Sequence, residues 1–525
     1  MRDFHQPGRS AVFAKNGMCA TSHPLAAKVS VQILESGGNA MDAALAGAVL
    51  LGFCEPQMTG IGGDLFALIA PSPEADIIAM NGSGRAPMAA SAEALRVAGH
   101  ASVPLYDAAA VTVPGAIDAI CRLSADHGKI GLATILAPAI HYAEAGIPVA
   151  PRVAFDWDEA LGNLHSSAMD EFSNAGKPFA TGQMFKAPRQ AEVLRRVAAD
   201  GRETFYEGEI AEDMVASLRA LGGTHSLDDF ANNAPDYTTP ISGTYGELEL
   251  VEHPPNGQGA TAILMLNMLK EFDVAGMEPW GAERAHIEAE SAKLAYDARN
   301  RLLADPDHTA RLEHMLSLDT AKRLAALIDP AKAMASPAKL SEAVHKDTIY
   351  ITTVDKDGMA VSLIYSIFHS FGAGIASDKF GILFQNRGAG FTLEPGHPNE
   401  LGPGKRPMHT IIPGMLRKNG RTTMPFGVMG GAYQPNGHAR FVSNLVDFGL
   451  DAQSAIDAPR AFSDAGTLKV ERGYSDDVRQ ELSDMGHKVD IPATPIGGAQ
   501  AIELGESGLL TGASDPRKDG CALGY

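Results

Sequence analysis

The sequence contains few cysteines, no long apolar run and fewer basic than acidic residues, and each shortage excludes a class of protein. Its four cysteines are scattered along 525 residues without a C-x-x-C pair, so neither a disulfide framework nor a cysteine zinc site is predicted. The most apolar run, 43–54, is too short to cross a bilayer. Because the first residues also lack the apolar core of a secretory signal, we predict a cytoplasmic protein.

The charge balance limits the possible partners. The chain has 43 Lys and Arg against 63 Asp and Glu, which gives a formal net charge of −20. Nucleic acids and anionic membranes bind basic surfaces, so we expect neither of them as a partner. An anionic substrate would have to meet a local Arg or Lys.

Common catalytic motifs are also missing from the sequence. It contains neither G-x-S-x-G nor H-E-x-x-H, which excludes the commonest serine-hydrolase and zinc-protease patterns. His286 and Glu290 stand one helical turn apart within 282–302, and we interpret this pair as an ordinary helix face rather than a metal site. We expect no cofactor and no metal.

The patterning divides the chain into a helix-rich part and a strand-rich part. The pattern of residues 25–53 predicts amphipathic helices broken at Gly37-Gly38. The Gly-rich segment 59–70 is predicted to form a turn that leads into a strand. Helical periodicity dominates 115–345, whereas strands alternate with Gly and Pro turns from Thr348 onward. The length suits one large α/β (α+β) domain or two closely packed parts.

A hairpin is predicted at the start of the strand-rich part. Residues 348–354 and 359–366 alternate as two strands, and the loop between them ends in Gly358, which suits a three-residue hairpin loop. This register pairs Thr348 with Ser366, so two hydroxyl groups are expected to face each other. Thr348 becomes a nucleophile of particular interest only if the chain is cut directly before it.

Three further features could serve a catalytic site. The run 427–431, GVMGG, offers backbone N–H groups without side chains in the way, as an oxyanion hole requires. Arg85 lies in a turn and could bind a carboxylate through both of its guanidinium N–H pairs. The run 405–410, KRPMHT, places charged and hydroxyl groups in a loop. Each feature, taken alone, also has an ordinary structural explanation.

Together these motifs resemble the γ-glutamyltransferase family of N-terminal nucleophile hydrolases. The resemblance starts with GMCATSHPLAAKVSVQILESGGNAMDAALA and continues through the 348–366 hairpin, FGAGI, GKRP and GVMGG to GASDPRKDGCALGY at the end. It covers nearly the whole chain and keeps the order of the motifs. It implies an αββα sandwich with a helix-rich large-subunit portion.

The resemblance also implies self-cleavage between Asp347 and Thr348. A large subunit, 1–347, and a small subunit, 348–525, would then stay together in one intertwined fold, and it stays open whether two such heterodimers associate. A free α-amino group on Thr348 has a reference pKa of about 7.7–8.0 and can act as a base for its own hydroxyl.

The family likeness further implies a role for each matching position. Thr348 would attack an amide, Ser366 would stand at the position of the family's second Thr, Gly430 and Gly431 would hold the oxyanion, and Arg85 would hold a substrate carboxylate.

The sequence departs from classical γ-glutamyl enzymes at the positions that bind the substrate ammonium. Phe368 replaces an Asn, Gly390 replaces an Asp, and His409-Thr410 replaces a pair of Ser residues. An ammonium at this site would lose a charge-assisted hydrogen bond, which is worth about 1.5–3 kcal/mol. The pattern resembles the branch of the family that includes oxamate amidohydrolase, so a small amide bearing a carboxylate is the expected substrate.

Two alternatives stay open from the sequence alone. The protein could be a true γ-glutamyltransferase or glutathione hydrolase, as the broad family implies. It could also be a relative without catalytic activity that binds a metabolite, although the Asp347-Thr348 junction and the Gly430-Gly431 pair argue against that.

Overall fold

Most of the chain folds into helices and strands that alternate along its length. The computed structural model describes residues 8–335 and 348–525. The helices are α1 Pro24–Glu35, α2 Ala40–Cys54, α3 Ala92–Val97, α4 Ala116–His127, α5 Leu132–Ala145, α6 Pro151–Ala160, α7 Ser166–Phe172, α8 Pro188–Asp200, α9 Glu203–Tyr206, α10 Glu209–Ala220, α11 Leu227–Ala231, α12 Gly259–Leu269, α13 Ala282–Leu302, α14 Leu312–Leu316, α15 Leu318–Ala325, α16 Gln434–Val446, α17 Ala452–Asp457 and α18 Asp476–Asp484. The strands are β1 Val12–Ala14, β2 Gly17–Thr21, β3 Asp64–Ala70, β4 Ile78–Gly82, β5 Ile147–Pro148, β6 Met184–Phe185, β7 Asp236–Thr238, β8 Ile241–Tyr245, β9 Leu248–Glu252, β10 Ile349–Asp355, β11 Ala360–Ser366, β12 Gly414–Lys418, β13 Arg421–Met429, β14 Ala461–Asp464, β15 Thr467–Val470, β16 Val489–Asp490, β17 Gly498–Leu504, β18 Leu510–Ser514 and β19 Cys521–Gly524.

Two seven-stranded sheets form the centre of the molecule. One has the order β1-β18-β17-β13-β12-β9-β8 and the other has the order β19-β2-β10-β11-β3-β4-β7. A small apolar cluster that includes Met18, Leu68, Val354, Met415 and Ile502 joins the facing sides of the two sheets. Larger apolar clusters lie on their outer sides, against α1, α2 and α5 on one side and against α12 and α16 on the other. This arrangement is the αββα sandwich that the resemblance implied.

The broken helix near the start is confirmed, but its amphipathic character is only partly right. Helix α2 starts at a capping box, in which Asn39 and Asp42 each accept a hydrogen bond from the other's backbone N–H. All fifteen of its residues are buried, because it packs between the sheet strands β10 and β11 and the helices α1 and α5. A helix enclosed in this way is apolar all round rather than along one stripe.

The hairpin register is confirmed. Strands β10 and β11 pair antiparallel, with Ile349 opposite Tyr365 and Val354 opposite Ala360. Gly358 has φ +84°, the left-handed conformation that this loop requires and that glycine adopts without strain. Extending the register by one residue places Thr348 opposite Ser366.

Both sheets mix strands from the two sides of residue 348. Strand β10 lies between β2 and β11, and β11 lies in turn against β3. In the other sheet, β12 lies between β9 and β13. The strand-rich part therefore also depends on strands from the helix-rich part, and it contains the helices α16, α17 and α18, which the sequence pattern did not indicate.

Within 8–335 and 348–525, none of the helices combines the length and the apolar character that a membrane crossing needs.

Candidate active site

The two facing hydroxyl groups at the head of the hairpin form the centre of the candidate site. Thr348 Oγ1 lies 3.4 Å from Ser366 Oγ. Both side chains are buried, at 1% and 0% exposure. Asp347, on the other side of the predicted cleavage bond, lies outside the described residues, so the structure does not describe the junction itself.

The surroundings of Ser366 orient its hydroxyl group. The backbone N–H of Phe368 donates to Ser366 Oγ at 3.0 Å, and Arg387 Nη2 donates to the same oxygen at 3.3 Å. A serine hydroxyl has two acceptor lone pairs and one proton. These two contacts hold Ser366 Oγ within hydrogen-bonding distance of Thr348 Oγ1, and either hydroxyl group can be the donor in that contact.

Arg387 is a functional candidate that the sequence reasoning missed. It starts a short 3₁₀ turn, Arg387–Gly390, and its side chain is fully buried. Besides Ser366, it donates from Nη1 to Thr410 Oγ1 at 2.9 Å. Its guanidinium carbon lies 4.1 Å from the centre of the Phe368 ring, within the range of a cation–π contact. Arg387 thus contacts Ser366, Thr410 and Phe368, three residues that were predicted from the sequence to belong to the site.

The Gly430-Gly431 pair lies at the end of β13, on the same side of the sandwich as Thr348. Met429 belongs to a small buried cluster with Tyr350, so the end of β13 packs near the start of β10. Both glycines have positive φ, +120° and +54°, a conformation that a residue with a Cβ adopts only with strain. The turn leads directly into helix α16, whose N-terminus favours negative charge.

Gln258 links the glycine pair to the Arg387 contacts. Its Nε2 donates to the carbonyl oxygen of Thr410 at 2.6 Å and to that of Gly431 at 3.0 Å. Arg299 Nη1 in turn donates to Gln258 Oε1 at 2.8 Å. Gln258, which belongs to the helix-rich part, therefore fixes the distance between Gly431 and Thr410. Gln258 follows an unremarkable N-G dipeptide, and no sequence pattern marked it.

His409 packs under the site and has a structural environment. Its Nε2 donates to Asp64 Oδ2 at 3.1 Å, and its Nδ1 accepts from the backbone N–H of Ile411 at 3.4 Å. Burial, together with the charge of Arg387, lowers the pKa of His409 to about 3. The ring is therefore neutral at neutral pH, and both ring nitrogens are engaged within the protein.

Gly390 closes the Arg387 turn at a point with no room for a side chain. Asn399 Nδ2 donates to its carbonyl oxygen at 2.6 Å. A Cβ at this position would lie 2.7 Å from the carbonyl oxygen of Met408, closer than Cβ atoms approach neighbouring atoms. A carboxylate could not be restored here by a simple substitution to Asp.

The structure places Arg85 among carboxylates. It donates from Nη1 to the carbonyl oxygen of Gly404 at 3.0 Å and lies 3.5 Å from Asp305 and 3.8 Å from Asp236. Its side chain is 38% exposed. The predicted role of Arg85 in carboxylate binding stays a prediction, and the structure adds Arg387 as a second candidate cation.

One known protein family matches nearly the whole chain. The family model described as gamma-glutamyltranspeptidase matches residues 26–525. The chain belongs to this family. It is an enzyme of the family's hydrolase and acyltransferase group, to which the relatives named as proenzymes also belong.

Three relatives of this gamma-glutamyltranspeptidase family member cover almost the whole chain. The glutathione hydrolase-like YwrD proenzyme of Bacillus subtilis is 34% identical over 98% of this chain and 99% of its own length. The oxamate amidohydrolase proenzyme of Klebsiella pneumoniae is also 34% identical, over 98% of this chain and 100% of its own length. The crystal structure of cephalosporin acylase from Bacillus halodurans superimposes with a TM-score of 0.92 at 37% identity, covering 100% of this chain and 99% of that chain.

A cavity lies beside the Arg387 turn of the family member. It has a volume of about 200 Å³, and Gly388 and Phe391 line it together with small and apolar side chains such as Ala90, Val111 and Leu401. Such a lining accepts an apolar group and offers little to a charged one.

Proposed function

We propose that the chain is the precursor of a self-processing N-terminal threonine amidohydrolase whose substrates are small amides that carry a carboxylate, such as oxamate. The observation that carries the proposal is the buried contact between Thr348 and Ser366 next to the guanidinium of Arg387. This arrangement combines a nucleophile, a hydroxyl donor and a fixed positive charge. Asp347 and Thr348 would flank the cleaved bond.

In the proposed reaction, cleavage first converts the amide nitrogen of Thr348 into a free amine. This amine takes the proton of Thr348 Oγ1, and the oxygen attacks the carbonyl carbon of the substrate amide. The N–H groups of Gly430 and Gly431 would stabilise the resulting oxyanion. The C–N bond then breaks, the leaving amine takes the proton, and water hydrolyses the ester on Thr348.

The charges around the site support a preference for anionic substrates. Arg387 contributes a positive charge within 3.3 Å of Ser366 Oγ. A γ-glutamyl substrate brings an α-ammonium, which that charge repels and for which Gly390 offers no carboxylate. Losing a charge-assisted hydrogen bond costs about 1.5–3 kcal/mol, or roughly 10- to 150-fold in specificity. Glutathione and γ-glutamyl anilides are therefore the less favoured substrates.

The test compares three substrates on one preparation. N-terminal sequencing of the small fragment should give Thr348, and Thr348→Ala should stay uncut. The processed enzyme should hydrolyse oxamate with a higher kcat/KM than it shows for glutathione or a γ-glutamyl anilide. A clear preference for the γ-glutamyl compounds would replace this proposal with glutathione hydrolysis or γ-glutamyl transfer.

A second candidate function is hydrolysis of a larger amide. The cavity of about 200 Å³ beside Gly388 favours it, because oxamate does not need such a space. A cephalosporin acylase is among the structures similar to this chain. Adding amides with a carboxylate at the end of a longer apolar acyl chain to the same assay distinguishes the two candidates.

A further inference from the structure

A second cluster of chemically active side chains lies where helix α13 meets the turn after α18. His286 and Glu290 stand one turn apart on α13, and His487 approaches them from that turn. One ligand atom from each of the three side chains lies within 4.8 Å of the others, and all three residues are buried. Unlike the site at Thr348, this cluster has no part in the proposed amide hydrolysis.

The hydrogen bonds of His286 fix which of its nitrogens faces the cluster. Its Nε2 lies 2.8 Å from the backbone carbonyl oxygen of Asp329, so this nitrogen carries the proton and donates it. The other nitrogen, Nδ1, therefore has a free lone pair, and it lies 2.7 Å from His487 Nε2. A histidine held through one N–H by a backbone carbonyl, with the opposite nitrogen turned inward, is the usual arrangement of a metal ligand.

Glu290 is held in place by groups that leave ligand capacity on its carboxylate. The backbone N–H of Met334 donates to Oε2 at 2.9 Å, and Lys293 Nζ donates to Oε1 at 2.6 Å. Lys293 also donates to the carbonyl oxygen of Met334 at 2.9 Å. Because a carboxylate has about four lone-pair sites, two hydrogen bonds do not exhaust it.

We propose that His286, Glu290 and His487 form a binding site for a divalent transition-metal ion such as Zn²⁺. Two imidazole nitrogens and one carboxylate oxygen are a donor set that suits Zn²⁺, whereas Mg²⁺ and Ca²⁺ prefer oxygen ligands only. At Zn–N distances of about 2.0–2.1 Å and a tetrahedral angle, the two nitrogens would lie about 3.3 Å apart. A small separation of the two rings is enough to admit the ion. This proposal replaces the interpretation of His286 and Glu290 as an ordinary helix face.

The site would join chain segments from both sides of the predicted cleavage bond. His487 belongs to the segment after Thr348, whereas α13 and the hydrogen-bonded stretch 329–334 precede it. The backbone N–H of Ala333 also donates to the carbonyl oxygen of Met485 at 2.8 Å. An ion bound here would therefore crosslink the end of the large subunit to the small subunit. Metal binding itself does not depend on the proposed cleavage or on the substrate.

If no ion binds, a single hydrogen bond explains the short distance between His286 Nδ1 and His487 Nε2. In that case His487 Nε2 carries a proton and donates it to His286 Nδ1. The two explanations differ in whether the protein takes up a transition metal at a stoichiometric, histidine-containing site.

The experiment uses the full-length protein after treatment with a chelator and dialysis. Calorimetric titration with ZnCl₂, and visible absorption on addition of CoCl₂, measure uptake, stoichiometry and geometry. We expect one tightly bound ion per chain, the intense absorption of tetrahedral Co²⁺, and a melting temperature that rises with Zn²⁺ but not with Mg²⁺. His487→Ala and Glu290→Gln should weaken Zn²⁺ binding by at least about 100-fold.

His141→Ala serves as the matched control, because His141 is exposed on α5; this variant should bind like the wild type. If the His487 variant does not fold, X-ray absorption of the Zn²⁺-loaded wild type shows whether two imidazoles bind the ion. Wild-type protein that takes up neither Zn²⁺ nor Co²⁺, or a folded His487→Ala variant with unchanged affinity, would overturn the proposal and leave the histidine–histidine hydrogen bond as the explanation.

Discussion

At the scale of single residues, Ser366 connects Thr348, the proposed nucleophile, to the charge of Arg387. Its oxygen accepts from Phe368 and Arg387 and lies 3.4 Å from Thr348 Oγ1. A contact of 3.4 Å is long for a hydrogen bond between hydroxyl groups. We expect it to shorten when Thr348 Oγ1 gains negative charge during attack, which is how a preorganised donor lowers the barrier.

The first prediction follows from this contact. Ser366→Ala removes the donor and should reduce both self-cleavage and turnover by about 10²-fold, measured by gel densitometry and by steady-state kcat. Ser366→Thr keeps the hydroxyl and should retain most of the activity. Equal rates for wild type and Ser366→Ala would show that the hydroxyl only fills space.

The second prediction concerns the two candidate cations. Arg387→Gln removes the charge beside Ser366 and should lower kcat/KM for oxamate by about 10- to 100-fold. It should lower the kcat/KM for a γ-glutamyl anilide less, because that substrate carries an ammonium. Arg85→Gln is the comparison variant. A larger loss in Arg85→Gln, with Arg387→Gln unaffected, would return the carboxylate-binding role to Arg85.

The third prediction uses the pKa of His409, which burial lowers to about 3 from an ordinary value of 6.5. The unfolded chain therefore binds a proton near pH 6.5 that the folded protein takes up only near pH 3. Stability from the neutral ring is complete above pH 6.5 and is lost as the pH falls toward 3.

His409→Gln keeps a donor for Asp64 but does not titrate. Between pH 7 and pH 5, the unfolding free energy of the wild type should fall by about 2 kcal/mol relative to this variant, as measured by urea unfolding. Parallel pH curves for the two proteins would contradict the buried neutral ring.

The site residues show what sequence reasoning could and could not provide. The pairing of Thr348 with Ser366 was predicted because a hairpin register depends on local pattern and turn chemistry. Arg387 and Gln258 were missed because their importance comes from long-range contacts: Gln258 bonds residues more than 150 positions away. A lone Arg in a Gly-rich turn or a Gln in a loop carries no local signal of that kind.

At the scale of secondary-structure elements, the sandwich depends on the close approach of β10 and β13. A Cβ at Gly427 would lie 2.3 Å from the ring of Tyr350, so glycine is required there for space rather than for its backbone conformation. The sequence pattern predicted the hairpin strands β10 and β11 and the strand β3, whereas β5 to β9 lie within the part that was predicted to be helical. Helix α2 was predicted, but not its apolar character all round, because enclosure on all sides removes the amphipathic stripe. The helices after β13 were not indicated by the sequence pattern.

The fourth prediction tests this contact between the sheets. Gly427→Ala should push Tyr350 out of place and destabilise the protein by about 1–3 kcal/mol. Self-cleavage should also be slower, because Thr348 lies two residues before Tyr350 in the chain. Gly60→Ala is the matched control, since Gly60 is also buried but a Cβ there meets nothing within 4 Å. Chemical unfolding measures the stabilities. Similar losses in both variants would show that the effect is not specific to the β10–β13 contact.

At the scale of the whole molecule, the arrangement of strands determines what a cut before Thr348 can do. Strand β10 pairs with β2, β11 pairs with β3, and β12 pairs with β9. Each of these pairs joins a strand that precedes the cut to one that follows it. To separate the fragments, the protein would have to break strand pairs in both sheets and expose the apolar clusters on either side of them.

The fifth prediction is that the two fragments behave as a single folding unit. A denaturing gel should show fragments of 347 and 178 residues, whereas size-exclusion chromatography in native buffer should show both fragments in one particle. In a urea titration, dissociation of the fragments and loss of helical circular dichroism should occur at the same concentration, because interleaved strands cannot part while the sheets are intact. The uncut Thr348→Ala protein provides the reference for unfolding without dissociation. Release of the small fragment at a urea concentration that leaves the helical signal unchanged would mean that the pairings across the cut contribute little to holding the particle together.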